Sequence, residues 1–428
     1  MSKPAEFNTL EVFELDILFP HCAGLDVHKK TVVACRIARA VSGKRVMETR
    51  TFGTMTADIL LLGEWLEMAC VTHIAMESTG VYWKPIWNLL ESNFTLWLVN
   101  PQHIKQVPGR KTDVKDAEWI GTLMEHGLLK PSFVPPAPQR ALREMTRMRS
   151  TIVRQRSEML NRVQKVLEDA NIKLASVASD AMGVSGRAMI EAMISGESDP
   201  KVLADMALGK LRKKHDELER ALLGSVNAHH KIILQQLLDL IDGMDKSISV
   251  LDAEIESRCA PFNEAVARLD EISGIGVTTA QMVLSEIGTD MSKFPSDGHL
   301  CAWAGVAPGN NESAGKRQSG KTRKGNQSLR AGLVQAAHAA ARSKDTYLSA
   351  LYRRIAARRG KKRAIIAVAH AILKIIYHML KNETHYKDLG ANYFDKLNPA
   401  RTVNRFIKRL QELGYSVTKT TETEAVAA

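Results

Sequence analysis

The first third of the chain alternates two kinds of segment, and that alternation limits its fold more than any other feature. Residues 22–38, "CAGLDVHKKTVVACRIA", are rich in Val and small residues and read as a strand. Ser42 and Gly43 mark a turn into a second strand, "KRVMETRTFGT". Next comes "ADILLLGEWLEMA", whose Leu, Trp and Met recur at helical spacing. The strand "VTHIAMEST", the helix "VYWKPIWNLLES" and the strand "FTLWLVNP" follow. The helix "TDVKDAEWIGTLMEHGLL" comes last, capped by Thr112 or Asp113. Such alternation implies an α/β layer fold with some parallel pairing. A proline-rich break, "FVPPAPQ", closes it at residues 133–139.

Beyond the break the pattern turns helical. Two long runs, 140–171 and 210–257, carry apolar residues at helical period and predict an antiparallel pair or coiled-coil arm. Arg147, Arg149, Arg154, Arg156 and Arg162 dot the first run. They read either as a solvated face or, as a set, as a track for phosphates. After Pro261, "LDEISGIGVTTAQMVLSEIG" has the pattern of a helix-hairpin-helix. Its Gly274 and Gly276 suit either a plain helical turn or backbone N–H groups presented to a phosphate. The expected organisation is a tail (1–20), an α/β domain (21–139) and a helical arm (140–260). A mainly α-helical domain (261–385) and a partly disordered C-terminal extension (386–428) complete it.

The chain carries 59 Lys plus Arg against 47 Asp plus Glu, a formal charge of +12. That balance favours a polyanionic partner, nucleic acid ahead of a membrane surface. The five cysteines have no CxxC spacing, which argues against zinc and fits a reducing cytoplasm. The first twenty residues are acidic where a secretory leader is basic, and no apolar run reads as long enough to span a bilayer. The expected location is the cytoplasm, with no membrane partner.

Within this basic chain, Asp113 and Asp116 sit three apart, so on a helix they share one face. Two carboxylates there repel unless a cation lies between them. Asp26 lies on the first strand and Glu77 closes the strand "HIAMEST". Functional groups gather at strand ends in open α/β sheets. Four convergent carboxylates would favour Mg²⁺, and a pair of such ions about 4 Å apart serves phosphoryl transfer. Taken singly, Asp113 also reads as a helix cap and Asp26 as a turn residue.

"AGLDVHKKTVVAC", "MESTGVYWKPIWNLLE", "QHIKQVPGRKTDVKDAEWIGTLMEHGLL" and "WAGVAPGNNESAGKRQSGKTRKGNQSLR" occur in this order. In these motifs the chain resembles the DEDD-type insertion-sequence transposases of the IS-one-ten family, most closely the IS-eleven-eleven branch. The resemblance runs from about residue 22 to about 382. It implies an RNase H-like (RuvC-like) N-terminal domain whose acidic tetrad falls on Asp26, Glu77, Asp113 and Asp116.

A second candidate lies in "NNESAGKRQSGKTRKGN". From Ser313 through Lys344 there are eight Lys or Arg and no acidic residue. Gly309, Gly315, Gly320 and Gly325 read as making the segment a flexible loop. Lys316, Arg317, Lys321, Arg323, Lys324 and Arg330 are its candidate phosphate contacts, joined by Lys29 and Lys111 near the acids. His28, next to Asp26, is a lesser candidate. Ser313 and Ser319 either only donate hydrogen bonds in a DNA-binding loop, or one of them attacks phosphorus. The resemblance assigns the nucleophile to Ser313, where "SAGK" stands for the family's Ser-Gly-Gly type motif, with Ala314 in place of the commoner Gly. It further implies a homodimer or homotetramer, donor and target DNA, and a structured noncoding RNA that pairs with both. Two rivals stand: a structure-selective nuclease using water, and a non-enzymatic nucleic-acid-binding protein. Lastly, "YRRIAARRGKKR" at 352–363 reads as a solvated face or a backbone-binding patch.

Overall fold

A computed structural model of the chain describes residues 16–77, 80–104, 116–309, 311–313, 315–322, 324–397 and 399–418. The chain divides into two compact units, Met1–Ala137 and Pro138–Ala428.

The first unit is built on a five-stranded mixed sheet. Its strands are β1 (Cys22–Val27), β2 (Thr31–Arg39), β3 (Arg45–Gly53), β4 (His73–Glu77) and β5 (Thr95–Val99), in spatial order β3-β2-β1-β4-β5. The first three form an antiparallel meander, and β4 and β5 run parallel to β1. The single long strand expected at 22–38 is thus two. His28, Lys29 and Lys30 are exposed and make the turn between them, closed by His28 N–H donating to Thr31 O at 2.9 Å. Three consecutive cationic or ionisable side chains favour water over a continued buried strand.

Helices cover both faces. Helix α1 (Thr56–Glu67) and helix α2 (Trp83–Leu90) bury Ile59, Leu62, Leu66, Ile86 and Leu90 against Ala23, Leu25, Ile74 and Met76. After the short α3 (Pro101–Ile104), α4 (Asp116–Glu125) covers the other face with Ala117, Ile120, Leu123 and Met124 against Cys22, Cys35, Ile37 and Ala75. Here helix backbone lies on strand backbone. A Cβ built on Gly24 would stand 2.3 Å from both Ala117 O and Gly121 N.

The second unit is almost wholly helical. Its long helices α5 (Ala137–Asp169) and α10 (Ala228–Cys259) run antiparallel. Between them α6 (Leu174–Val177), α7 (Val184–Ser195), α8 (Pro200–Asp205) and α9 (His215–Ala221) form a small core at one end, around Val163, Leu167, Met189, Leu218 and Leu238. At the other end Leu142 meets Ile255 and Cys259. The middle carries no such seam. No residue of α5 between Ile152 and Val163, or of α10 between Ile241 and Ile255, is buried. Bidentate pairs of Arg149 with Asp252 and Arg156 with Asp245 bridge it instead. Those arginines, with Arg147, are committed to carboxylates of the protein itself, which corrects the reading of the whole set as a phosphate track.

Next come α11 (Asn263–Asp270), α12 (Val277–Ile287), α13 (Asp297–Trp303), α14 (Gln327–Arg342), α15 (Tyr347–Arg359) and α16 (Lys361–Asn382), with a hairpin of β6 (Asn311–Ser313) and β7 (Lys316–Ser319) before α14. Contrary to the expectation from sequence, α16 is long and apolar enough by composition to cross a bilayer. Its apolar side is spent on the core, where Ile365, Val368, Ile372, Leu373, Ile376 and Leu380 are buried. The C-terminal extension carries short helices at Tyr393–Lys396 and Pro399–Glu412.

Two outcomes are expected. Gly24→Ala should destabilise the first unit by about 1–3 kcal/mol, the usual cost of overpacking a filled interior. Urea unfolding checks this, and an unchanged midpoint would contradict the contact. Cys22, Cys35, Cys259 and Cys301 are buried and Cys70 is exposed. Burial pushes the Cys22 and Cys301 thiols up to about 12. A thiol reagent at neutral pH should therefore titrate about one thiol in native protein and all five after denaturation.

Candidate functional site

Three of the four sequence-predicted acids are carried to one edge of the sheet by its topology. The parallel register sets Leu25 opposite Met76. One step further along both strands, Asp26 therefore stands level with Glu77. Side chains alternate between faces along a strand. Cys22 and Ala75 face α4, so Asp26 and Glu77, an even number of residues on, project to that same face. Helix α4 runs back along β1. Its last residue, Glu125, accepts N–H bonds from Leu18 and Phe19, just ahead of β1, and its first turn lies over Gly24. Asp116 opens the helix, so it falls at the end of the sheet that holds Asp26 and Glu77. Asp113 and Lys111 lie outside the described residues.

Asp26 is partly exposed and has His28 Nε2 at 3.1 Å from its Oδ2. Asp116 is exposed, and so is Lys29 in the adjoining turn. The donors at this edge are carboxylate oxygens on separate elements, the hard set a divalent cation such as Mg²⁺ takes. They do not form a closed triplet. Among the described residues, the group whose ligand atoms all lie within 4.8 Å is Asp169, His229 and His230. That group is better explained as a helix cap. His230 Nδ1 accepts the Asn227 N–H at 3.2 Å, which leaves the proton on Nε2 to be donated to Asp169 at 2.9 Å. Both ring nitrogens of the buried imidazole are thereby used.

Ser313 ends β6 and pairs with Lys316, the first residue of β7. Gly315 turns there with φ of +71°. The segment expected as a flexible loop is thus a hairpin. Its base is clasped, since a Cβ on Gly309 would stand 2.1 Å from Lys321 O. Lys316, Lys321 and Lys324 are exposed along it, and Arg330 is half-buried on α14. Arg323 and the side chains of Ser313, Arg317 and Ser319 lie outside the described residues. Gly274 also differs from its reading as a phosphate contact. With φ of +93°, it presses on α14, where a Cβ would meet Ala336 O at 2.4 Å. Packing therefore demands this glycine. Gly276 is exposed as the N-cap of α12.

Sequence reasoning missed the residue that ties the root of α5 to the cap of α14. Glu286, at the end of α12, is fully buried. Arg147 donates to it through Nε at 2.7 Å and its terminal nitrogen at 2.9 Å, and Arg143 Nε lies 3.1 Å away. Asn326 Nδ2 donates to the same carboxylate at 2.6 Å, while its Oδ1 accepts Leu329 N–H and caps α14. One carboxylate thus joins the root of α5 to the helix that follows the hairpin. Burial pushes the Arg143 guanidinium down to about 10, an effect that Glu286 opposes. The available signal was a lone Glu in the apolar run "MVLSEIG". Glu286→Ala would leave two guanidinium groups without their buried partner. It should cost about 3–5 kcal/mol in denaturant unfolding; a loss under about 1 kcal/mol would place the network among weak surface pairs.

Comparison with known proteins bears on both halves of the chain. Residues 23–172 match the transposase profile named for the DEDD domain of IS110 elements. Residues 266–353 match the profile described as transposase, IS116/IS110/IS902 family. A probable family 20 transposase of Pseudomonas aeruginosa is 26% identical over 321 residues, covering 73% of this chain and 85% of that protein. The transposase for insertion sequence element IS1111A of Coxiella burnetii is 23% identical over 376 residues, covering 85% and 90%.

Proposed function

This chain belongs to the IS116/IS110/IS902 family of transposases, and we propose that it cuts and rejoins DNA through a serine–DNA intermediate assisted by a carboxylate-held Mg²⁺ site. The observation that carries the reading is the level register of Asp26 and Glu77, with Asp116 brought back to the same edge by α4. Three antiparallel strands followed by two parallel ones, in the order β3-β2-β1-β4-β5, support an RNase H-like (RuvC-like) first domain.

In this reading Asp26, Glu77, Asp113 and Asp116 hold the cation. When bound, it supplies positive charge against a phosphoryl oxygen and the leaving group. Ser313 stands at a hairpin tip, where a strand of DNA can approach. Its Oγ bonds to phosphorus, the bond from phosphorus to one deoxyribose oxygen breaks, and the serine proton ends on that departing oxygen. The phosphoester energy is kept in the Ser–O–P bond, so a second DNA end can reverse the step without an external energy source. Lys316, Lys321 and Lys324 neutralise the phosphate oxygens meanwhile. Glu286 keeps the cap of α14, downstream of the hairpin, in a fixed relation to the arm root.

By family resemblance the working assembly is a homodimer or homotetramer in which one subunit's acids complete another's serine site. A structured noncoding RNA pairs with donor and target DNA to select sequence. The chain's charge of +12 suits two polyanions.

The test uses the protein purified with its bound nucleic acid, Mg²⁺ and DNA carrying the element's ends. Wild type should leave a denaturation-resistant protein–DNA adduct. Ser313→Ala should leave none while binding DNA equally well. Asp116→Asn should slow cleavage on the order of a hundredfold or more, the several kcal/mol such sites provide. Hydrolysed ends without an adduct would instead indicate water as nucleophile.

A further inference from the structure

The turn between α15 and α16 gathers Arg358, Arg359, Lys361, Lys362 and Arg363 around Gly360. All five side chains are exposed. The apex is open, since a Cβ on Gly360 would have nothing within 4 Å. From Tyr347 to Asn382 the two helices contain nine Lys or Arg and no Asp or Glu. No ion pair engages any of the five among the described residues. The arm is different: there Arg149, Arg156 and Arg187 each grip an aspartate.

This arrangement costs the isolated protein stability. Like charges in adjacent residues repel. Arg358 and Arg359 at least sit at the C-terminus of α15, where the helix dipole favours cations; Lys361, Lys362 and Arg363 open α16, where it opposes them. Nothing in the packing requires the three, because the burial of α16 begins at Ala364. An external polyanion would turn the cost into a gain. A lipid surface is the poorer match. Membrane-bound helices set large apolar side chains beside their cations, and among the described residues none is exposed between Val277 and Leu389.

We propose that the α15–α16 turn is a second nucleic-acid grip, apart from the serine hairpin, which holds backbone phosphates without reading bases. It rests on the reading that this chain handles nucleic acid. Its chemistry is shared by duplex DNA and structured RNA, so both are tested. Binding of a labelled DNA duplex and of a structured RNA is measured from low to high salt for wild type and for Arg358→Ala/Arg359→Ala/Lys361→Ala/Lys362→Ala. Each lost phosphate contact lowers the slope of log K against log salt by about 0.9 for duplex. The variant should lose about two to four units of slope with at least one of the two polymers, and the one affected names the occupant. Exchanging the same four positions between Arg and Lys should preserve the slope, and circular dichroism checks that the helices remain. Unchanged slopes with both polymers would overturn the proposal. So would a loss of binding to anionic phosphatidylserine vesicles in the variant with its nucleic-acid slopes intact. If wild type forms no DNA adduct yet the slope still falls, the catalytic reading fails and the grip stands.

Discussion

The first unit depends on the approach of two backbones. Gly24 and Gly121 let α4 lie directly on β1, with no side chain between them. That contact holds α4 close against the strand, with Asp116 as its first residue. Asp116 is carried to the end of the sheet that holds Asp26, next to last in β1, and Glu77, last in β4. A bulkier pair would lift the helix and move Asp116 away from the other acids. Glycine is chosen here for close approach, and both positions are helical or extended rather than left-handed.

In the second unit the comparable constraint is a buried charge. Glu286 is held by two arginines of α5 and by Asn326, the cap of α14. Such a network adds little net stability over an apolar core but imposes one geometry, because any other leaves charge unpaired. The hairpin bearing Ser313 lies just upstream of that cap. The arm shows the same economy of specification. Leu142, Arg149, Arg156 and Val163 are spaced seven apart on α5. The apolar members end the pair and the arginines span its middle, facing Asp252 and Asp245.

Much of the first unit was legible because strands and helices differ in period. The placement of Asp26 and Glu77 at one end of the sheet was legible because strand ends follow from the alternation of segments, while Asp113 lies outside the described residues. The β1–β2 turn was not, since "HKK" is too short to break a run of Val and Ala by composition alone. The hairpin was read as a loop because glycine marks both flexibility and close packing; only coordinates distinguish Gly309 against Lys321 from an open turn. Arginine roles were equally hidden. Arg149 and Arg358 look alike in sequence, yet one is paired across the arm and the other is bare. Glu286 stood out only as a lone acid in an apolar run, and its partners were hidden because residues 143, 147 and 326 lie far from it in the chain.

The central claim is that the strand-end acids act together on a divalent ion. Binding of Mn²⁺, followed by its electron paramagnetic resonance signal in the full-length protein, tests this most directly. The account predicts binding in wild type, displacement by excess Mg²⁺, and loss on replacing either Asp26 or Asp116 with Asn. Equal binding by both variants, or none by the wild type, would contradict it.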